Sequence, residues 1–334
     1  MRARRSLFVA VGLSVALVAV GCTDADTSET GAASNPGDEQ NADPANDAPG
    51  TKAGAPFAVG VRTETFVDDT RPTDSTPGFD GAPERTLPTT IYYPAAEGEP
   101  GAAPVENAQP AAGPFPFVLF SHGVNSLGSD YEALLTQWVE AGFVVAAPDY
   151  PLGSSDAPGA SPVVSDAAQQ AVDASFVTDR VLELDGVGPT IDAERIGAAG
   201  HSLGAITTSG FALSNRYRDD RVDVAIQFAA PTGFEGGVTY DKPVLLEHGD
   251  ADGSVPYALT ATNFADIPAP AFLVTLLGAE HTEAFRGGDI AAADVVAATT
   301  LDFLTGFLGD DPDAVDRIVD DGDVPGVSTV EAHT

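Results

Sequence analysis

From residue 57 onward, short apolar runs alternate with stretches whose apolar residues recur at helical spacing. Ala58–Val67 and Pro88–Tyr93 read as strands, separated by a loop rich in Pro, Gly and Asp. Phe115–Ser121 is an uninterrupted apolar run, as expected of a strand covered on both faces. Tyr131, Leu134, Leu135 and Trp138 mark a helix that ends at Gly142, and Phe143–Ala147 is the next strand. Val172, Phe176, Val177, Val181 and Leu184 mark a second helix, followed by strand Ile196–Ala199 and helix Ser202–Leu213. Strands Val222–Phe228, Pro243–Glu247 and Ala271–Leu276 come next. A short helix near Pro256–Phe264 and a longer one over Ala291–Phe307 accompany them. The alternation predicts an α/β fold: a mostly parallel eight-stranded sheet flanked by helices, with right-handed crossovers.

The two ends follow a different pattern. Arg2, Arg4 and Arg5 precede an apolar run from Leu7 to Val20 that is short for a membrane span. It closes on Ala19-Val20-Gly21-Cys22, which resembles the lipobox of bacterial lipoproteins. That resemblance implies an exported, cell-surface protein whose lipidated N-terminus is Cys22, with residues 1–21 removed. An ordinary signal peptide with an incidental cysteine is the alternative. Residues 22–55 are small, polar and acidic, and cannot bury enough surface to order themselves, so they read as a tether. The packed domain is placed at 56–308, and 309–334 reads as an acidic tail with a short helix and an edge segment, or fraying, left open.

Charge narrows the partners. Fifty acidic residues face 15 basic ones, a net charge of −35. Such a chain repels nucleic acid and anionic surfaces, which leaves the N-terminal lipid as the expected membrane contact. The single cysteine excludes an internal disulfide. No clustered ligand spacing points to a metal or organic cofactor, and a monomer is expected.

The chemistry centres on Gly200-His201-Ser202-Leu203-Gly204, directly after a strand and directly before a helix. G-x-S-x-G in that context is a nucleophile elbow, which makes the expected architecture the α/β-hydrolase fold with Ser202 as nucleophile. A serine hydroxyl needs a base, and the base needs an orienting carboxylate, in the chain order Ser, acid, His. His248, His281 and His333 lie downstream; His281, just past the last predicted strand of the sheet, is the expected base. In Glu247-His248-Gly249-Asp250-Ala251-Asp252, both aspartates qualify as the acid, with Glu235 a remote rival. The oxyanion donors are expected from the N–H groups of Leu203 and Val124, the latter in a loop turned by Gly123. His122 and His201 read as structural. Only about a dozen residues separate Phe228 from Pro243, too few for a helical cap, so no large cap domain is expected and the site should be open. Asp149–Val164 is the candidate mobile rim, and Asn125, Tyr150, Val255 and Tyr257 are candidate substrate-binding residues.

VLFSHGVNS, GFVVAAPDYPLGSSD, GHSLG, HGDADGSVP and GAEHTEAF occur in this order. Together they resemble bacterial serine esterases related to platelet-activating-factor acetylhydrolase and polyester hydrolases, a group also labelled dienelactone-hydrolase-like. The likeness spans about residues 57–308. It implies carboxylic ester hydrolysis through an acyl-enzyme, with lipids and polyesters among the candidate substrates. Its H-G-x-x-D-x-x-V-P stretch implies Asp252 as the acid. Two departures stand out: dienelactone hydrolases proper use Cys where this chain has Ser202, and polyester hydrolases commonly carry a disulfide. An amide or peptide hydrolase on the same scaffold is the alternative, separable by matched amide and ester substrates. A non-catalytic surface-binding lipoprotein is disfavoured by the complete Ser, Asp and His set. With only Lys52 and Lys242 as lysines, the acidic composition suits a saline setting. Fold and activity are therefore expected to persist as salt is raised from low to molar; loss of either would count against that reading.

Overall fold

The computed structural model describes residues 55–159, 163–231 and 233–334. The signal segment, Cys22 and all of the tether but Ala55 lie outside the described residues. The strands are β1 (Ala58–Asp68), β2 (Arg85–Ala95), β3 (Val105–Glu106), β4 (Phe115–Ser121), β5 (Val144–Pro148), β6 (Ile191–His201), β7 (Val222–Phe228), β8 (Val244–Gly249), β9 (Ala271–Leu276) and β10 (Ser328–His333). The helices are α1 (Glu132–Glu140), α2 (Ala167–Leu182), α3 (Leu203–Thr208), α4 (Tyr257–Phe264), α5 (Ile290–Phe307) and α6 (Ala314–Gly322). The helix expected over Ser202–Leu213 is α3, which widens into a π-helical turn at Ser209–Leu213.

The strands form one ten-stranded sheet in the order β10-β9-β8-β7-β6-β4-β5-β2-β1-β3. From β5 to β9 every neighbouring pair is parallel, while β1, β2 and β10 join antiparallel. Side-chain alternation explains why the central strands are apolar throughout. In β4, Val118 and Phe120 enter one core layer with Trp138 of α1 and Phe303 of α5. Phe117 and Leu119 enter the opposite layer with Ala174 and Val177 of α2. At the start of β2, fully buried Arg85 lies between Asp166 and Asp173, with Nη2 2.8 Å from Asp166 Oδ2 and Nε 2.8 Å from Asp173 Oδ1. Removing either sign of such a cluster leaves a buried unpaired charge, so it fastens the start of α2 to the sheet.

Two strands exceed the expected eight. β3 has only two exposed residues, too few to leave a pattern. The other addition decides the open reading of 309–334 in favour of a short helix and an edge strand, packed on the domain rather than fraying as a tail. Ile318 of α6 is buried, and β10 pairs with β9 from Ser328↔Leu276 to His333↔Ala271. His333 stacks on Phe264 at 4.4 Å, and its Nδ1 lies 2.7 Å from the Ile267 carbonyl oxygen. Few apolar residues carry this packing among many acids, because an edge strand and an amphipathic helix each need only one apolar face.

One titratable group sits wholly inside the sheet–helix layer. Burial pushes the Glu247 carboxyl from an ordinary 4.5 up to about 8, opposed by the Thr299 hydroxyl. Thr299 Oγ1 lies 2.6 Å from Glu247 Oε1 and 2.8 Å from the Val295 carbonyl, and one hydroxyl hydrogen cannot serve both. A protonated carboxyl lets both bonds form. Because the folded-state value is raised, the contribution of this group to stability is fully present below about pH 4.5 and is lost as pH rises towards about 8. Glu247→Gln removes this titration. Its unfolding free energy, measured in denaturant at pH 5 and pH 8, is expected to gain on the parent by about 3 kcal/mol over that span.

Candidate active site

The end of β6 brings the backbone to a conformation that L-residues rarely adopt: Ser202 has φ 54° and ψ −113°. The two flanking glycines permit the turn by close approach. A Cβ on Gly200 would lie 2.3 Å from the Gly204 carbonyl oxygen, and one on Gly204 would lie 1.9 Å from that of Ser121. The Ser202 N–H donates to the Phe228 carbonyl at 2.9 Å, which ties the turn to β7.

Ser202, His281 and Asp252 come together from three loops at the carboxyl edge of the sheet. His281 Nδ1 lies 2.6 Å from Asp252 Oδ2, and its Nε2 lies 2.9 Å from Ser202 Oγ. A carboxylate only accepts, so Nδ1 carries the hydrogen and Nε2 is left to accept from the serine. Asp252 Oδ1 accepts the N–H groups of Ser254 and Val255 at 2.7 and 2.8 Å. Burial opposes the charge of Asp252, but bonds from His248, His281 and the Val255 N–H hold its carboxyl well below the usual range. Asp250 has a different place. It accepts the Gly278 N–H at 2.6 Å and so staples the loop that carries His281. Glu235 is exposed and paired with Arg216 at 3.7 Å.

The oxyanion side is defined by which donors are already engaged. In the loop after β4, the Gly123 N–H donates to Tyr131 Oη at 3.2 Å and that of Asn125 to the Gly153 carbonyl at 2.8 Å. Between them the Val124 N–H has no protein acceptor among the described residues, and neither does that of Leu203 at the start of α3. His122 holds the loop in place: its Nδ1 bonds the Gly123 carbonyl at 2.8 Å and its Nε2 accepts the Tyr150 N–H at 3.1 Å. Burial lowers His122 to about 4, so the ring is neutral.

The other candidates divide. Asn125 is exposed, with a left-handed φ of 58°. Val255 and Tyr257 are half-buried. Val255 serves the acid loop through its backbone, while the Tyr257 hydroxyl lies 2.6 Å from Thr275 Oγ1. Tyr150 is a correction. It is fully buried with its hydroxyl 2.8 Å from Ser121 Oγ, because it turns inward beneath the loop it begins. Tyr131, Arg286 and His248, for which no role was expected, also shape the site. Tyr131 Oη lies 2.8 Å from His201 Nδ1, and His201 Nε2 donates to the His281 carbonyl at 2.7 Å. Burial, then the nearby His281, lowers His201 to about 3 and keeps it neutral. Arg286 bonds Ser126 Oγ and covers the Tyr131 ring at 4.9 Å, clamping the loop after β4 to the one after β9. The third is His248, whose Nε2 lies 2.9 Å from Asp252 Oδ2. A histidine four residues before an aspartate across a tight turn was the available signal.

The parallel sheet, the strained serine between strand and helix, and the open carboxyl edge define an α/β-hydrolase fold. Among the described residues, 229–243 contain no helix. A family model described as Chlorophyllase matches residues 95–238, which include Ser202 but neither Asp252 nor His281. A ferulic acid esterase from Streptomyces cinnamoneus is similar in structure, with a TM-score of 0.60 at 20% identity over 75% of this chain and 90% of that one. No curated protein matches the chain in sequence.

The two aspartates are separable by experiment. Asp252→Asn is expected to lower kcat by about 10³- to 10⁴-fold, the scale seen when a triad acid is neutralised. Asp250→Asn should stay within roughly tenfold of the parent, since it touches no reacting group. The reverse order in steady-state kinetics would assign the acid to Asp250.

Proposed function

We propose that the protein is a carboxylic ester hydrolase working through an acyl-serine intermediate. The observation that carries this reading is the hydrogen-bonded chain from Ser202 through His281 to Asp252, in a chain whose Leu203 and Val124 N–H groups have no acceptor among the described residues. Ser202 Oγ attacks the ester carbonyl carbon while His281 Nε2 takes its proton. The Val124 and Leu203 N–H groups receive the developing oxyanion. As the tetrahedral intermediate collapses, the C–O bond to the alcohol breaks and His281 returns the proton to the leaving oxygen. Water then attacks the acyl-serine with His281 again as base, releasing the acid and restoring Ser202.

The Chlorophyllase family match and the structural likeness to a ferulic acid esterase support esters over amides, and the uncapped site suits bulky esters, including lipids and polyesters. Export and lipid anchoring at Cys22 belong to the same proposal, on the strength of the arginine-led apolar segment and the lipobox resemblance.

The test is hydrolysis of p-nitrophenyl esters of graded chain length, with methyl ferulate beside them, by the full chain and by Ser202→Ala. Turnover by the parent should fall by about 10⁴-fold or more in the variant, which should unfold like the parent. Activity that survives Ser202→Ala would show the nucleophile to be misassigned, and no turnover of any ester would turn the reading towards amides.

A further inference from the structure

Asp252 Oδ2 is approached by two imidazoles, and the reaction above uses only one of them. His248 Nε2 lies 2.9 Å from this oxygen and 3.0 Å from the Val255 carbonyl; both are acceptors, so Nε2 carries a hydrogen. The other ring nitrogen lies 2.7 Å from Thr260 Oγ1, which reaches the Ala230 carbonyl at 3.0 Å. His248 is fully buried at the end of β8, with the Tyr257 ring edge-on at 5.8 Å. The titratable and charged groups facing it are Asp252 from the acid loop, Tyr257 from α4 and, beyond Asp252, His281. Its strand neighbour Glu247 lies on the opposite face of the sheet against α5.

With Ser254 and Val255 on Oδ1 and the two histidines on Oδ2, Asp252 accepts four hydrogen bonds and has no room to rotate. A carboxylate needs no second buried imidazole for packing, and an apolar side chain would fill the space without needing partners. We propose that His248 is a positioning residue of the reaction: it locks Asp252 through the oxygen that serves His281, and draws part of the carboxylate's charge away from the base. The inference rests on the triad of the proposed function, but not on the substrate being an ester.

The two effects have opposite signatures. If His248 only held the loop in shape, its loss would let Asp252 drift from His281, and the acid limb of the pH profile would move down. If it also shares the charge, its loss leaves Asp252 more negative towards His281, the imidazolium persists to higher pH, and the limb moves up.

The experiment uses the full chain, with His248→Leu and His248→Gln beside the parent. It reads kcat and KM for the best p-nitrophenyl ester, and the rate of Ser202 inactivation by a fluorophosphonate across pH 5–9. His248→Leu is expected to lower kcat and the inactivation rate by about 10- to 100-fold, the scale of one hydrogen bond to a charged group. KM should change little and the acid limb should move upward. His248→Gln, which keeps an N–H donor, should restore most of the rate. An acid limb that stays or moves down overturns the proposal, as does a folded His248→Gln as slow as His248→Leu. Should His248→Leu not fold, His248→Asn, whose amide is too short to reach Asp252, is read by the same criteria. A parent that turns over no ester while Ser202 is still labelled sinks the ester reading and leaves this test standing; an unlabelled Ser202 sinks both.

Discussion

The contact on which the rest of the site depends is the one between Gly204 and the Ser121 carbonyl, where a side chain would have to sit 1.9 Å from the oxygen. It presses the first turn of α3 onto the end of β4, and so fixes two donors at once. The Leu203 N–H belongs to the helix, and the Val124 N–H belongs to the loop that leaves β4. The Ser202 turn, at φ 54°, stores strain that an isolated strand–helix junction would relax. Here the parallel pairing of β6 with β4 and β7 over-determines it. Rigidity at this point is what a donor pair for a short-lived oxyanion requires, since its value lies in not having to reorganise.

Histidine is the second organising element, in a chain with 5 histidines and 50 carboxylates. His122 and His201 are lowered by burial and work as neutral, two-ended struts, one inside the loop after β4 and one between Tyr131 and the His281 backbone. Neutral struts suit this place, because a permanent cation beside His281 would oppose the imidazolium that forms during turnover. The fixed cation nearby, Arg286, is spent on Ser126, Tyr131 and Asp130 rather than on the triad. The groups about the base are therefore arranged so that one negative charge, on Asp252, dominates its environment.

Much of this was legible in the residues, for reasons that also explain what was not. Phe115–Ser121, Val222–Phe228 and Ala271–Leu276 are buried on both faces, so their boundaries are sharp in composition and coincide with the strands observed. Ser202 and His281 could be singled out because an elbow and a post-strand loop are local patterns. Tyr150 could not be placed, since whether a residue after a strand turns out to the rim or in beneath it is decided by a partner, Ser121, 29 positions away. The second imidazole on Asp252 was hidden for a related reason. His248 looked like the last residue of a strand, and its role depends on how the turn after it folds back. Residues 309–334 stayed open between a short helix with an edge segment and fraying because Ile318, Val327 and Val330 are too sparse to outweigh the surrounding acids, yet sufficient for one face each.

The net charge bears on product release in the proposed reaction. A neutral ester crosses a negative field without cost, whereas the acid product, ionised near neutral pH, is repelled by it. On the proposed reaction, a chain of charge −35 thus admits the neutral ester and favours departure of the ionised product. The effect is confined to within about 8 Å of the surface at physiological ionic strength and shrinks further in molar salt. It therefore helps product release most in dilute media, while the hydrogen-bonded chain from Asp252 to Ser202, short in range and anchored on a buried carboxylate, is far less sensitive to the salt around it.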